Sequence, residues 1–228
     1  MERHFDAELN DLKEDISKMA RLAQEAIHRA VEALKNRDSA LARSVIEHDA
    51  EIDKLELAID ERCVEMIALH QPMAKDLRFI TTGLKINAEL ERIADIAVDI
   101  AQRTLELVDK PLLKPLIDIP KLTATAQRMV AMAIDAFIRG DVELAKQVVL
   151  SDTEADNLRN AIQVELVDDY MVKDGSTAPR AIQLLLISRF LERICDHATN
   201  IAEHVIYMVQ AEVVRHQLDK LRGDAAGG

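Results

Sequence analysis

The sequence predicts an all-α protein built as two tandem three-helix bundles, six long helices in all. Three observations carry that expectation. Ala, Leu, Ile, Glu, Asp, Lys and Arg dominate the 228 residues, with no Trp, six Gly and five Pro, a composition that favours helices. Apolar residues recur at steps of three and four over long stretches. The pattern of the first half then returns in the second at a nearly constant spacing.

Phe5, Leu9, Leu12, Ile16, Met19, Ala23, Ala26, Ala30 and Ala33 write the first helix, a near-heptad stripe suited to shallow-angle bundle packing. Asn36-Arg37-Asp38-Ser39 interrupts it, and Asp38 is a good N-cap for a second helix. That helix turns Leu41, Val45, Ile52, Leu55, Ile59 and Met66 inward. It must stop near His70-Gln71-Pro72, because the residue before a proline avoids helical angles. A third helix runs roughly from Met73 to Val108, with Leu77, Ile80, Leu84, Ile93, Ile100 and Leu107 on its stripe. DKPLLKPLIDIP, Asp109–Pro120, holds three of the five prolines and reads as a linker.

After the linker the pattern restarts. Gln24, Ala30, Ala33, Ala42 and Val45 find Gln127, Ala133, Ala136, Ala145 and Val148 at an offset of 103. Asp49-x-Glu51-x-Asp53-x-Leu55 likewise finds Asp152-x-Glu154-x-Asp156-x-Leu158. Gly140 sits where a C-cap would end the fourth helix. Lys173-Asp174-Gly175-Ser176 makes the second hairpin turn, and Pro179 opens the sixth helix. The expected organisation is a first unit over residues 1–110, a linker over 111–120, a second unit over 121–217 and a disordered tail over 218–228.

Charge excludes some functions. A net charge of −12, from 41 acidic and 29 basic residues, argues against binding nucleic acid, whose affinity rests on Lys and Arg neutralising phosphates. It leaves carboxylates available for cations. The N-terminal stretch MERHFDAELNDLK lacks the apolar core of a signal peptide, and no run approaches 18 apolar residues, so no membrane insertion is expected. Cys63 and Cys195 are too few and too isolated for a disulfide framework or a thiolate metal site, and are expected to be small buried residues. A cytoplasmic location is the simplest reading.

Carboxylates carry the chemistry. ELERIADIAVDIA (Glu89–Ala101) and FLERICDHATNIA (Phe190–Ala202) repeat Leu-Glu-Arg-Ile-x-Asp at a distance of 101 residues. One acidic-x-x-x-acidic pair means little, since chance alone gives roughly seven in such a chain, and the default is a solvated helix face. The helical geometry makes these pairs special. Asp53 lies 19 residues before Pro72 and Glu91 lies 19 after it, while Asp49 and Asp95 are each 23 away. About Asp174 the arithmetic repeats, with Asp156 and Glu192 each 18 away and Asp152 and Asp196 each 22 away. At a 1.5 Å rise, such pairs stand level on antiparallel helices, roughly 28 Å from the first turn for Asp53 and Glu91.

Like charges at 4 Å repel by about 1 kcal/mol in water and about 4 at an effective dielectric of 20, so protons are retained or a cation is present. Helix axes about 8–10 Å apart and the small Ala88, Ala94 and Ala97 leave room for one ion or a small cluster. All-oxygen ligation favours hard ions such as Fe³⁺, Mn²⁺, Mg²⁺ or Ca²⁺. Asp99 extends the first ladder one step, where the second offers Asn200 and then His204, so the two sites should differ in charge. Arg92 and Arg193 follow the two glutamates, either orienting carboxylates or pairing at the surface. Glu25-Ala-Ile-His28 is the only Glu-x-x-His, whereas ferritin-like di-iron bundles need two. No phosphate-cradling loop, Gly-x-Ser-x-Gly or Cys-x-x-Cys occurs, so no catalytic residue is assigned.

LERIAD at Leu90–Asp95, LERICDHATNIAE at Leu191–Glu203, DERC at Asp60–Cys63 and QPMAKDLR at Gln71–Arg78 together resemble the PhoU family, regulators of phosphate-specific transport. The resemblance spans Phe5 to His216. It implies a cytoplasmic, commonly homodimeric helical protein that binds metal at its acidic motifs, with iron, manganese, magnesium or zinc as the ion. Matched residue by residue, those motifs are Asp49, Asp53, Glu91, Asp95 and Asp99, and Asp152, Asp156, Glu192 and Asp196, with Asn200 departing from the repeat of Asp99. The implied role is negative regulation of phosphate uptake and phosphate-starvation signalling, through the ATPase subunit of a phosphate ABC transporter and a phosphate-sensing histidine kinase. Two rivals share the residues: a helical adaptor without functional metal, and a carboxylate-bridged metalloenzyme or metal-storage bundle.

Overall fold

The computed structural model describes residues 2–212. The expected tail, and the end of the second unit at residue 217, lie outside them. Six long helices follow one another: α1 (Glu2–Asn36), α2 (Ser39–His70), α3 (Ala74–Leu107), α4 (Asp118–Arg139), α5 (Val142–Val164) and α6 (Ala178–Gln210). No strand occurs among the described residues. None of these helices is long and apolar enough to cross a membrane.

The repeat is visible in the caps. Asp38 takes extended angles and its carboxylate accepts from the N–H groups of Ala40 and Leu41, both at 2.9 Å. Its repeat mate Asp141 accepts from Leu144 N–H at 3.0 Å. Just before each cap the chain turns left-handed to close the preceding helix, at Gly140 with φ +65° and at Arg37 with φ +56°. The closing bonds match: Asp38 N–H reaches Ala33 O and Asp141 N–H reaches Ala136 O, both at 2.9 Å. Glycine adopts this angle freely, whereas Arg37 adopts it while its guanidinium donates to the carbonyls of Val108 and Lys110. That side chain fastens the α1–α2 turn to the end of α3.

Each set of three helices packs on itself, and α3 against α6 together with α1 against α4 joins the two sets around a continuous apolar core. The sequence reading ends the linker at Pro120, but α4 already starts at Asp118. Proline is tolerated in a first helical turn, where its missing N–H would have no intrahelical partner. The second hairpin departs more. After α5 the chain runs on as a π-helix over Glu165–Met171, then turns through a short 3₁₀ segment, Gly175–Thr177, capped by Asp174. The linker is held down by Arg180, which donates to Pro111 O at 3.2 Å, and by Lys114, which pairs with Glu165.

Candidate functional site

Helix α2 ends at Gln71 in a left-handed cap and α3 begins at Ala74, so the hairpin brings the carboxylates of α2 and α3 together. Asp49 is half-buried, and its carboxyl is held above the usual range by burial first and then by the charges of Asp53 and Asp95. This is the cross-helix pair expected from equal distance to the turn. Glu91 is pushed up to about 7 by burial, by the charges of Asp95 and Glu56 and by its hydrogen bond with Asp95, with Arg92 pulling the other way. Glu56 is itself raised by burial, Asp60 and Asp53. The first cluster therefore contains Asp49, Asp53, Glu56, Glu91 and Asp95; Glu56 makes its own i+4 pair with Asp60, but at 16 residues from Pro72 it stands level with Ala88 and not with an acid of α3. Asp99 continues along α3 one turn further, half-buried.

The second hairpin repeats the arrangement with a substitution. Asp152 is raised by burial and by Asp156 and Glu192. Asp196 is pushed up to about 6 by desolvation, Glu192, Asp152 and Asp156, with His197 opposing. Glu192 accepts from Arg159 at 3.2 Å. Arg159 holds the repeat position of Glu56, 103 residues on. One cluster thus gathers a fifth acid where the other gathers a cation, a larger charge difference than Asp99 against Asn200.

Asn200 faces elsewhere. Its amide donates to Glu89 at 3.1 Å, and His197 Nδ1 donates to the same carboxylate oxygen at 2.6 Å. Glu89 is buried on α3, His197 and Asn200 lie on α6, and Arg92 adds a longer contact at 3.4 Å to the other oxygen. Burial raises the Glu89 carboxyl, but the His197 and Asn200 hydrogen bonds and the charges of His197 and Arg92 outweigh it and hold the group below its usual range. This is a polar bolt between the two units, and Arg92 serves it from an exposed position. Arg193 is exposed, and so are Glu25 and His28.

Can these clusters hold a cation? Every donor in them is oxygen, half-buried carboxyls (Asp49, Glu56, Glu91, Asp152) stand beside exposed ones (Asp53, Asp95, Asp196), and buried Asn87 adds a neutral oxygen: its Nδ2 donates to Glu56 O at 2.8 Å and Asp60 Oδ1 at 2.9 Å, while its Oδ1 meets no donor. Hard cations take such sets. The side chains are not drawn in, however: among the described residues no three His, Cys, Asp or Glu groups are gathered closely enough to grip an ion. Thiolates contribute nothing, since Cys63 and Cys195 are buried and free, the first pushed up to about 12 by burial and Asp60 despite Arg62, the second also raised.

The family model described as the PhoU domain matches this chain twice, over residues 16–104 and 119–205, one match for each unit. The chain belongs to the PhoU family. A phosphate-specific transport system accessory protein PhoU homolog of Aquifex aeolicus is 42% identical over 217 residues, covering 95% of this chain and 98% of that protein. The PhoU of Escherichia coli K12 is 35% identical over 221 residues, covering 95% and 91%. Among solved structures, PhoU from Pseudomonas aeruginosa superposes with a TM-score of 0.86 at 38% identity, covering 91% of this chain and all of that one. The phosphate transport system regulatory protein PhoU from Streptococcus pneumoniae gives 0.85 at 28%, covering 92% and 99%. The gap between the two PhoU matches falls on the linker.

Proposed function

We propose that this chain regulates phosphate uptake as a non-catalytic accessory of a phosphate transport system. The observation that carries the reading is the match to PhoU accessory proteins along nearly the whole chain, in both units. In the finer form, the protein is a cytoplasmic homodimer that restrains the ATPase subunit of a phosphate ABC transporter and a phosphate-sensing histidine kinase when phosphate is plentiful. Removing the chain from its cell should raise phosphate uptake and starvation signalling in phosphate-rich medium. Unchanged uptake would sink the proposal. Co-purification of the ATPase subunit and of the kinase with the tagged chain tests the two partners separately, and light scattering tests the dimer.

Metal is part of this reading. Asp49, Asp53, Glu91, Asp95 and Asp99, with Glu56, would hold one hard cation or small cluster; Asp152, Asp156, Glu192 and Asp196 would hold another. The cation supplies positive charge that neutralises the facing carboxyls and clamps α2 to α3 and α5 to α6. Elemental analysis of untagged protein, beside a variant with Asp49, Asp95, Asp152 and Asp196 changed to Ala, checks it: metal in the parent that vanishes from the folded variant is the expected result. A second reading, an adaptor whose acids hold no functional metal, is favoured by the absence of three gathered ligands among the described residues. Near-zero metal in both proteins, with partner binding intact, would select it.

A further inference from the structure

The repeat places a cleft at two related positions, and the two have opposite fates. The first is lined by Leu34, Arg37, Leu107, Val108, Leu116 and Arg180, and it has been reduced to about 30 Å³. The linker plugs it, with Arg37 and Arg180 donating to linker and helix-end carbonyls. Advancing Leu34 and Arg37 by the 103-residue offset and Leu107 and Val108 by the 101-residue offset of the third and sixth helices, and setting Leu116 back by 103 and Arg180 back by 101, gives Phe137, Gly140, Met208, Val209, Lys13 and Phe79. All six line a second cleft, which stays open at about 320 Å³.

The open cleft is cationic. Lys13 of α1, Lys75 and Arg78 of α3 and Arg139 of α4 surround it, in a chain whose net charge is −12. Its floor is apolar, with Phe79 and Phe137 stacked at 4.9 Å between centroids and Lys13 Nζ held 5.3 Å over the Phe79 ring. Arg78 is aimed by its Nε, which donates to Met208 O at 3.1 Å and leaves the other guanidinium nitrogens uncommitted to that bond. Among the described residues no carboxylate lines it, although Arg139 is paired through its Nε with Asp135, one turn back on α4, at 2.7 Å. Helix α3 opens at the rim with no side chain capping its N-terminus.

We propose that this cleft binds an organic polyphosphate, a nucleoside diphosphate being the smallest that fits both halves of its chemistry. Four cations from three helices match a chain of phosphates better than a single orthophosphate, which would reach only some of them. The apolar floor takes the nucleoside. The volume lies at the lower end of the range for small-ligand pockets. This site is separate from the acidic clusters and does not rest on the regulatory reading.

Titrating the full chain with ADP in EDTA-containing buffer tests it, since chelation removes any metal-bridged phosphate at the carboxylates. Saturable binding of one ADP per chain is expected, at least tenfold tighter than inorganic phosphate, with no binding of adenosine. Lys75→Ala with Arg139→Ala should weaken ADP at least tenfold; both residues are exposed, so an unchanged thermal melt shows that the loss is not unfolding. Absence of ADP binding at millimolar concentration, or binding indifferent to the double variant, overturns the proposal. So does tight binding of a glutamate-rich peptide in place of ADP, which would make the cleft a protein-docking surface.

Discussion

Arg159 stands in the second hairpin at the repeat position that Glu56 holds in the first, and it pairs with Glu192 at 3.2 Å. Changing Glu56 to Arg should therefore give Glu91 a partner and relieve the first cluster. In EDTA, the E56R protein is expected to melt a few degrees higher, as about 1 kcal/mol does in a chain of this size. The reverse change, Arg159→Glu, should lower the melt by a similar amount, and added Mn²⁺ should recover more stability in that variant than in the parent.

The first cluster also sets a pH dependence. The Glu91 carboxyl is raised from 4.5 to about 7 by burial, Asp95 and Glu56. Between those values the folded chain retains a proton that the unfolded chain has released, so stability of metal-free protein falls as pH rises through the window. Urea midpoints from pH 4.5 to 7.5 should show that decline. Glu91→Gln should remove about 1 kcal/mol of it, a figure reduced for the solvent that reaches the group.

The bolt between the units has the opposite sign. Glu89 is held below its usual range, so its contribution is present above the unfolded value near 4.5 and disappears as pH falls through the lower folded value. Glu89→Ala strands His197 and Asn200 and should cost about 1–3 kcal/mol at pH 7, read by chemical denaturation. As pH falls through that lower folded value, the variant and parent should converge.

Arg37 separates two effects in one residue. Arg37→Ala loses the tether to Val108 and Lys110 and still strains an L-residue in the left-handed region, whereas Arg37→Gly loses the tether but relieves that backbone. The alanine protein should be less stable than the glycine one by about 1 kcal/mol. Both should be cut faster than the parent within the linker by a broad-specificity protease.

Much of this architecture is legible in the residues, and the exceptions share a cause. The caps Asp38, Gly140 and Asp141 and the turn at Pro72 are local signals, and the 3–4 periodicity survives because each helix buries a stripe. Counting from the hairpin turn gives the height of a residue, which is why Asp49 and Asp95 meet. It does not give azimuth or reach, so Glu56, level with Ala88 by that count, is left unpaired with α3 although its charge reaches Glu91. Reading position 159 against position 56 would have exposed the swap of Arg for Glu. Nothing local announces that α3 lies along α6, so Asn200 reads as a ladder member when its amide serves Glu89. The π-helix at Glu165–Met171 also has no periodic signature in seven residues.

The acids of the first hairpin lie near the middle of long rods. Helices α2 and α3 have 32 and 34 residues, about 48 and 51 Å end to end. A beam's deflection grows steeply with its unsupported span. The chain links the two helices only at the Pro72 tip, so resistance to shear between them comes from side chains along their length, Asn87 bound to Glu56 O and Asp60 Oδ1 among them, and a further fastening at mid-span divides that length in two. On the clamp proposed above, the charge state at Asp49, Asp53, Glu91 and Asp95 would add or remove such a fastening, and a surface some 28 Å away at the tip would inherit the change without a single contact there being remade.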